Sequence, residues 1–329
     1  MKKLLFFVTM LMLLLSACNS DNASKEKNTS GDSSNKLSIY TTVYPLQYFA
    51  ERIGGNAVQV ASIYPAGANE HTFEPTQKDM MSLADADLFF YVGLGLEGFV
   101  ENAKKTLAKE DVKLVATAEG VTEEQLDIST GHTHAEATEE HDHEHEHGDE
   151  HEVHSDHDAH VWLSPIISQQ LALSIKEELV KALPEQEATF TANYEQLVAE
   201  LNVLNTEFEN MAQAAPKKTF FVSHAAFGYI AGHYGLTQVP VAGLNSQSEP
   251  SQKELTKIVD LAKKENIKYI FFEQNVSSNL TEIIQKEIGA KTLTLHNLSV
   301  LTKEDIDNNE DYFTLMRKNI DALKQALSN

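Results

Sequence analysis

The feature that most restricts the fold is a single apolar seam. Phe190, Tyr194, Leu197, Leu201, Leu204, Phe208 and Met211 follow one another at alternating steps of four and three residues, the spacing that lines one face of an α-helix. It predicts one continuous helix over residues 185–214, entered at Pro184, where the missing N–H is no loss because the first turn has no intrahelical acceptor for it. At ~1.5 Å per residue this helix is about 45 Å long, enough to run the height of two domains. A linker of this kind resists the wide hinge motion that several extended strands would allow.

Short apolar runs rich in β-branched and aromatic residues stand on both sides of the seam. Before it, residues 37–43, 58–64 and 88–92 read as strands, alternating with helical patterns at 44–53, 76–84 and 96–108. After it, 219–223, 238–241, 268–272 and 291–295 read as strands. Strands that alternate with helices predict an α/β fold with parallel sheets. The stretch 37–329 exceeds the usual size of one domain. The expected organisation is a lobe over 37–183, a linking helix over 184–216 and a second lobe over 217–329.

The amino terminus precedes this body. Met1, Lys2 and Lys3 lead into an apolar run over residues 4–15, too short to span a bilayer and typical of an export signal over 1–17. It ends at Leu14-Leu15-Ser16-Ala17-Cys18, which holds the chain's single cysteine. This pattern resembles a lipobox, with Cys18 as the lipidated residue. The alternative is a stray buried cysteine, and with one Cys no disulfide forms within the chain. Residues 18–36 then read as a polar tether with too little apolar surface to fold. A net charge of −23 makes nucleic acid and anionic headgroups poor partners and cations good ones.

The histidines fall into two populations. Ten of the fourteen lie between His132 and His160, among eleven Asp and Glu and no Lys or Arg. Such a tract cannot build a core, so 132–157 is expected to be a loop of loose nitrogen and oxygen ligands. A solvated acidic loop without function is the plainer alternative. The other histidines are isolated. His71 follows the second strand within Glu70-His71-Thr72-Phe73-Glu74-Pro75, and His224 directly follows the strand over 219–223 in Ser223-His224-Ala225-Ala226-Phe227-Gly228-Tyr229. His160 closes the tract and opens His160-Val161-Trp162-Leu163-Ser164-Pro165. Side chains at the carboxyl ends of parallel strands converge on a crevice, so these histidines are candidate metal ligands.

Together with the lipobox and Phe272-Glu273, these segments resemble the zinc-binding lipoproteins of metal ABC importers, the ZnuA and AdcA type of cluster A-I solute-binding proteins, from Ser38 to the carboxyl terminus. The resemblance implies two lobes with parallel four-stranded sheets joined by one long helix. It also implies a metal between the lobes, held by His71 and His160 from the first and His224 from the second. Some members add a carboxylate from the loop after the last strand, but here that loop reads His296-Asn297-Leu298-Ser299. The fourth ligand is therefore left among His296, Glu70 and water, with Glu273 expected to orient a ligating imidazole.

Three histidines favour zinc over manganese, whose sites lean toward carboxylate oxygen. With ordinary imidazole pKa values, affinity should fall below about pH 6.5. The expected role is extracytoplasmic zinc capture and delivery to a membrane permease with its cytoplasmic ATPase. The protein is expected to act as a monomer, lipid-anchored on the outer face of a Gram-positive membrane. The rivals are a zinc-dependent hydrolase with Glu70 or Glu273 as base, and a manganese-binding or adhesin lipoprotein. No His-Glu-x-x-His motif supports the hydrolase.

Overall fold

The computed structural model describes residues 36–131, 157–244, 250–274 and 278–328. The signal segment, Cys18, the tether and the tract over 132–156 lie outside the described residues. Among those described, no helix is long and apolar enough to cross a membrane.

Two parallel sheets form the frame. β1 (Leu37–Thr41), β2 (Val58–Ser62), β3 (Leu88–Tyr91) and β4 (Lys113–Ala116) lie in the order β2-β1-β3-β4. β5 (Thr219–His224), β6 (Thr237–Ala242), β7 (Tyr269–Phe272) and β8 (Lys291–Thr294) repeat that order as β6-β5-β7-β8. In each sheet the order reverses beside the first strand, which opens a crevice at the carboxyl ends. β4 is the strand that patterning did not single out. It has four residues, begins with an exposed lysine and pairs only with β3, so it is too short to display an alternation.

The helix expected over 96–108 begins later, at Val100. Gly93, Leu94 and Gly95 all have positive φ, and Glu97 folds back to accept the N–H groups of Val92 and Gly93 at 2.8 and 3.0 Å. The carboxylate thereby fixes a turn where patterning places helix.

The long helix is present. A 3-10 turn over Pro184–Gln186 leads into 28 helical residues, Glu187–Ala214. Its seam is buried, with Tyr194 half-buried at the edge. It packs against the helices Tyr44–Gly54, Pro165–Ala182 and Tyr312–Leu327. Each fully buried Leu or Phe there contributes about 1.5–3 kcal/mol, and Leu201→Ala would cost about 2–5 kcal/mol.

One apolar core runs from the first sheet through this helix into the second lobe. Along β5, Phe220 and Val222 face that core. Phe221 points the other way, to a smaller core with Val241, Ile258, Ile270 and Ile284, as the two-residue period of a strand requires. The last helix also crosses back: Tyr312 lies 6.1 and 5.1 Å, ring to ring, from Tyr48 and Phe49 of the first lobe.

The lobes also meet at the stems of the histidine tract. Gly228 and Gly232 let helix Gly228–His233 press against residues 128–129. A Cβ at Gly232 would lie 1.7 Å from the Ile128 carbonyl oxygen, and one at Gly228 2.1 Å from Ser129 Oγ. Thr130 N–H donates to the Gly228 carbonyl at 3.2 Å, and Gln238 Nε2 donates to the carbonyls of Thr130 and Gly131. On the returning stem, Tyr229 OH donates to the Asp158 carbonyl at 2.6 Å. Ser129 Oγ ties the two stems by donating to Asp158 Oδ2 at 2.6 Å.

Candidate metal centre

Each of the three histidines has its own support. His71 sits in the loop after β2, where Asn69 Oδ1 accepts its backbone N–H at 2.9 Å. Phe73 anchors that loop between Tyr64 and Phe99, at ring distances of 4.9 and 5.9 Å. His160 precedes the turn Val161–Leu163, and Asp158 Oδ1 takes both its backbone N–H, at 2.9 Å, and its Nδ1, at 2.7 Å. His224 ends β5. Its Nδ1 lies 3.0 Å from both oxygens of Glu273, the residue after β7, and its Nε2 lies 3.0 Å from the Leu244 carbonyl.

The chain folds these residues, 153 positions apart at the extremes, into one cluster. Their nitrogen donors lie within 4.8 Å of one another. Ring centroids are 5.2 Å apart for His71 and His160, 5.3 Å for His71 and His224, and 4.9 Å for His160 and His224. His160 and His224 are buried and His71 nearly so. Nε2 of His71 and Nε2 of His160 are buried with no hydrogen-bond partner. Leaving such an atom unpaired costs about 1–3 kcal/mol. Two of them facing one small space is an arrangement that a metal ion would satisfy.

The electrostatics divide the cluster. Burial, helped by His160 and His224, lowers the His71 pKa to about 2, so its lone pair is available at any physiological pH. Burial also works to lower His224, but the charge and hydrogen bond of Glu273, with Glu70 behind them, overcome it and raise the pKa to about 9. Both ring nitrogens of His224 face acceptors, so both carry hydrogens. Burial pushes Glu273 up, and the His224 charge and the Asn297 amide bring it below the usual carboxylate range.

The structure separates the candidates for the fourth position. Glu70 is buried beside the cluster, with Oε1 3.9 Å from His71 Nε2. His296 is not brought into the cluster: its Nε2 is engaged with Asp305 Oδ2 at 3.0 Å, and its Nδ1 accepts the Leu298 N–H at 2.9 Å. Among the described residues the histidines brought together are His71, His160 and His224, without His296. Glu273 lies with both oxygens 3.0 Å from His224 Nδ1.

Patterning missed three further residues. Asp158 could not be told from the ten other acids of the tract. Trp162 donates Nε1–H to the Asn297 carbonyl at 2.7 Å across the lobes, with its ring 5.4 Å from that of His160. Asn297, quoted only as part of a loop, donates Nδ2–H to Glu70 and Glu273 at 3.2 and 2.9 Å.

Comparison with known proteins identifies the family. A family model described as zinc-uptake complex component A, periplasmic (ZnuA), matches residues 39–326. The high-affinity zinc uptake system protein ZnuA of Bacillus subtilis (strain 168) is 36% identical over 323 residues, covering 98% of this chain and 97% of that protein. The zinc-binding protein AdcA of Streptococcus pyogenes serotype M3 (strain ATCC BAA-595 / MGAS315) is 37% identical over 291 residues, 88% of this chain but 56% of that protein. The chain thus spans little more than half of that relative. Among solved structures, the Zn(II)-bound ZnuA-like domain of Streptococcus pneumoniae AdcA superposes with a TM-score of 0.71 at 32% identity, covering 89% of this chain and 100% of that one. From its two sheets, its long helix and a match that runs nearly end to end, the chain belongs to the ZnuA family of zinc-uptake components.

Proposed function

We propose that this protein captures a zinc ion between its two lobes and delivers it to an ABC-type importer for uptake. His71 and His160 bind from the first lobe and His224 from the second, and the Glu70 carboxylate closes the fourth position. The observation that carries the reading is the pair of buried, unpartnered Nε2 atoms on His71 and His160, with His224 within 4.8 Å. Three imidazoles and one carboxylate suit tetrahedral zinc, at about 2.0–2.1 Å for nitrogen.

Asp158 and Glu273 each hold an Nδ1–H, which fixes the ring orientation and turns Nε2 toward the ion. His71 enters the site neutral. His224 enters carrying a proton and bonded to the Leu244 carbonyl, so zinc takes its Nε2 only as that proton leaves and that bond breaks. Release to the importer runs the same exchange in reverse.

Cys18 carries the lipid that anchors the chain to the outer face of a Gram-positive membrane. The partner is the importer's permease with its cytoplasmic ATPase, and the protein acts as a monomer. The names of the relatives support zinc as cargo: a high-affinity zinc uptake protein and zinc-binding lipoproteins. Competition between the purified protein and a zinc chelator tests the reading. One tight zinc per chain is expected, lost in His71→Ala, His160→Ala and His224→Ala. Tight binding that survives all three substitutions would overturn it.

A further inference from the structure

Asn297 follows β8 by three residues and is fully buried. Every polar atom it has is used. Its Nδ2 donates to Glu70 Oε1 of the first lobe at 3.2 Å and to Glu273 Oε2 of the second at 2.9 Å. Its Oδ1 accepts from Gln274 Nε2 at 2.7 Å and from the N–H and hydroxyl of Ser299 at 3.0 and 2.9 Å. Its backbone N–H goes to Gln274 Oε1 at 3.1 Å, and its carbonyl takes the Trp162 indole N–H at 2.7 Å. Three donors around Oδ1 and two carboxylates around Nδ2 leave the amide one orientation. Flipping it would set an oxygen against two carboxylates.

The residue therefore reaches one support of each histidine: Glu70 next to His71, Trp162 beside the His160 ring, and Glu273 on His224. We propose that Asn297 is the positioning residue of the centre, whose two amide hydrogens keep the Glu70 and Glu273 carboxylates side by side so that Glu70 faces the ion. Two buried carboxylates from opposite lobes repel each other, and an amide supplies a donor to each without adding charge. With no donor there, Glu70 swings away and the fourth position is lost. Asn297 touches none of the three imidazole nitrogens, so its effect on zinc passes through Glu70.

This inference rests on the zinc reading above and deepens it. Zinc affinity is measured by chelator competition for the wild-type chain, Asn297→Ala, Glu70→Ala and the double variant, each checked for a cooperative thermal transition. Loss of an outer hydrogen-bonding partner lowers metal affinity by about 10- to 100-fold. Asn297→Ala is expected in that range, and the double variant no weaker than Glu70→Ala alone, since the second substitution removes a support whose object is gone. Losses that multiply, or an Asn297→Ala chain that binds like wild type, would overturn the role. Should Asn297→Ala fail to fold, the zinc-loaded wild-type crystal structure decides: a Glu70 oxygen on the metal with the carboxylate still bonded to Asn297 Nδ2 is expected, and Glu70 away from the metal would overturn it. A wild-type chain that binds no zinc would instead sink the functional reading itself.

Discussion

His160 and His296 are alike in almost everything that burial and pairing record. Each is buried, and each has one ring nitrogen on an aspartate, Asp158 at 2.7 Å and Asp305 at 3.0 Å. They differ at the other nitrogen. In His296 it accepts the Leu298 N–H at 2.9 Å, whereas in His160 it is buried with no partner. The comparison teaches that an acid beside a histidine does not mark a metal ligand. What distinguishes His160 is a second nitrogen without a partner in a cluster whose donor atoms lie within 4.8 Å of one another.

Substitution of the two histidines sets this contrast its hardest test. His160→Ala should lower zinc affinity about 1000-fold or more, because one of the few bonds to a single ion is removed. His296→Ala should leave affinity within about threefold of wild type and instead lower stability by about 1–3 kcal/mol, since it leaves the Leu298 N–H unpaired and takes one donor from Asp305. Chelator competition and chemical denaturation read the two effects. The opposite outcome, zinc lost with His296 and kept without His160, would break the comparison.

The aspartates give a smaller version of the same contrast. Asp158→Ala should weaken zinc binding by about 10- to 100-fold by freeing the His160 ring. Asp305→Ala should leave zinc untouched and loosen the start of helix Lys303–Asp307, where Asp305 also accepts from Thr302.

Acidity comes next in size. Ordinary imidazoles would weaken binding only below about pH 6.5, but zinc must displace a proton that His224 holds with a pKa of about 9. Apparent affinity should therefore rise about tenfold per unit from pH 6.5 to 8.5 in calorimetric titrations corrected for buffer. The metal-free protein should move the other way. A histidine whose pKa is raised in the folded state adds stability that is complete below its unfolded value near 6.5 and is lost as pH climbs through about 9. Melting of the zinc-free chain should thus drop over the interval in which affinity rises. Parallel trends would mean that another group governs the proton.

The smallest effect belongs to the tract. Replacing residues 132–157 with a short Gly–Ser linker, while keeping Asp158 and His160, should lower total zinc stoichiometry and leave one tight ion. Ligands that must first be gathered around a metal lose chain entropy, which a preformed cluster avoids. Loss of the tight ion in a folded deletion protein would place its ligands inside the tract.

The legible part of the site was the part that lies next to strands. His71, His224 and Glu273 stand at strand ends, and the apolar seam announced the long helix that sets the lobes in register. Asp158 was hidden in a run of acids, where composition drowns position. The commitment of His296 was equally invisible, because it depends on a carboxylate nine residues on and on Leu298 adopting a φ of 59°. Strand-and-seam patterning does not single out the helix Pro165–Ala182, although Ile167, Leu171, Ile175 and Leu179 form a buried stripe on it. Pairings made by loop conformation leave no period in a sequence.

The chain has a single tryptophan, and Trp162 is it. Its indole is wholly buried, its N–H spans the lobes to Asn297, and its ring lies 5.4 Å from the His160 imidazole. All indole emission from this protein thus arises beside the histidine cluster, where the two lobes meet. Paramagnetic ions seated among the histidines should quench it, zinc should shift it without quenching, and neither should act once His160 is gone. The molecule carries its own optical gauge of occupancy, readable in real time as the ion arrives or departs, with no label attached.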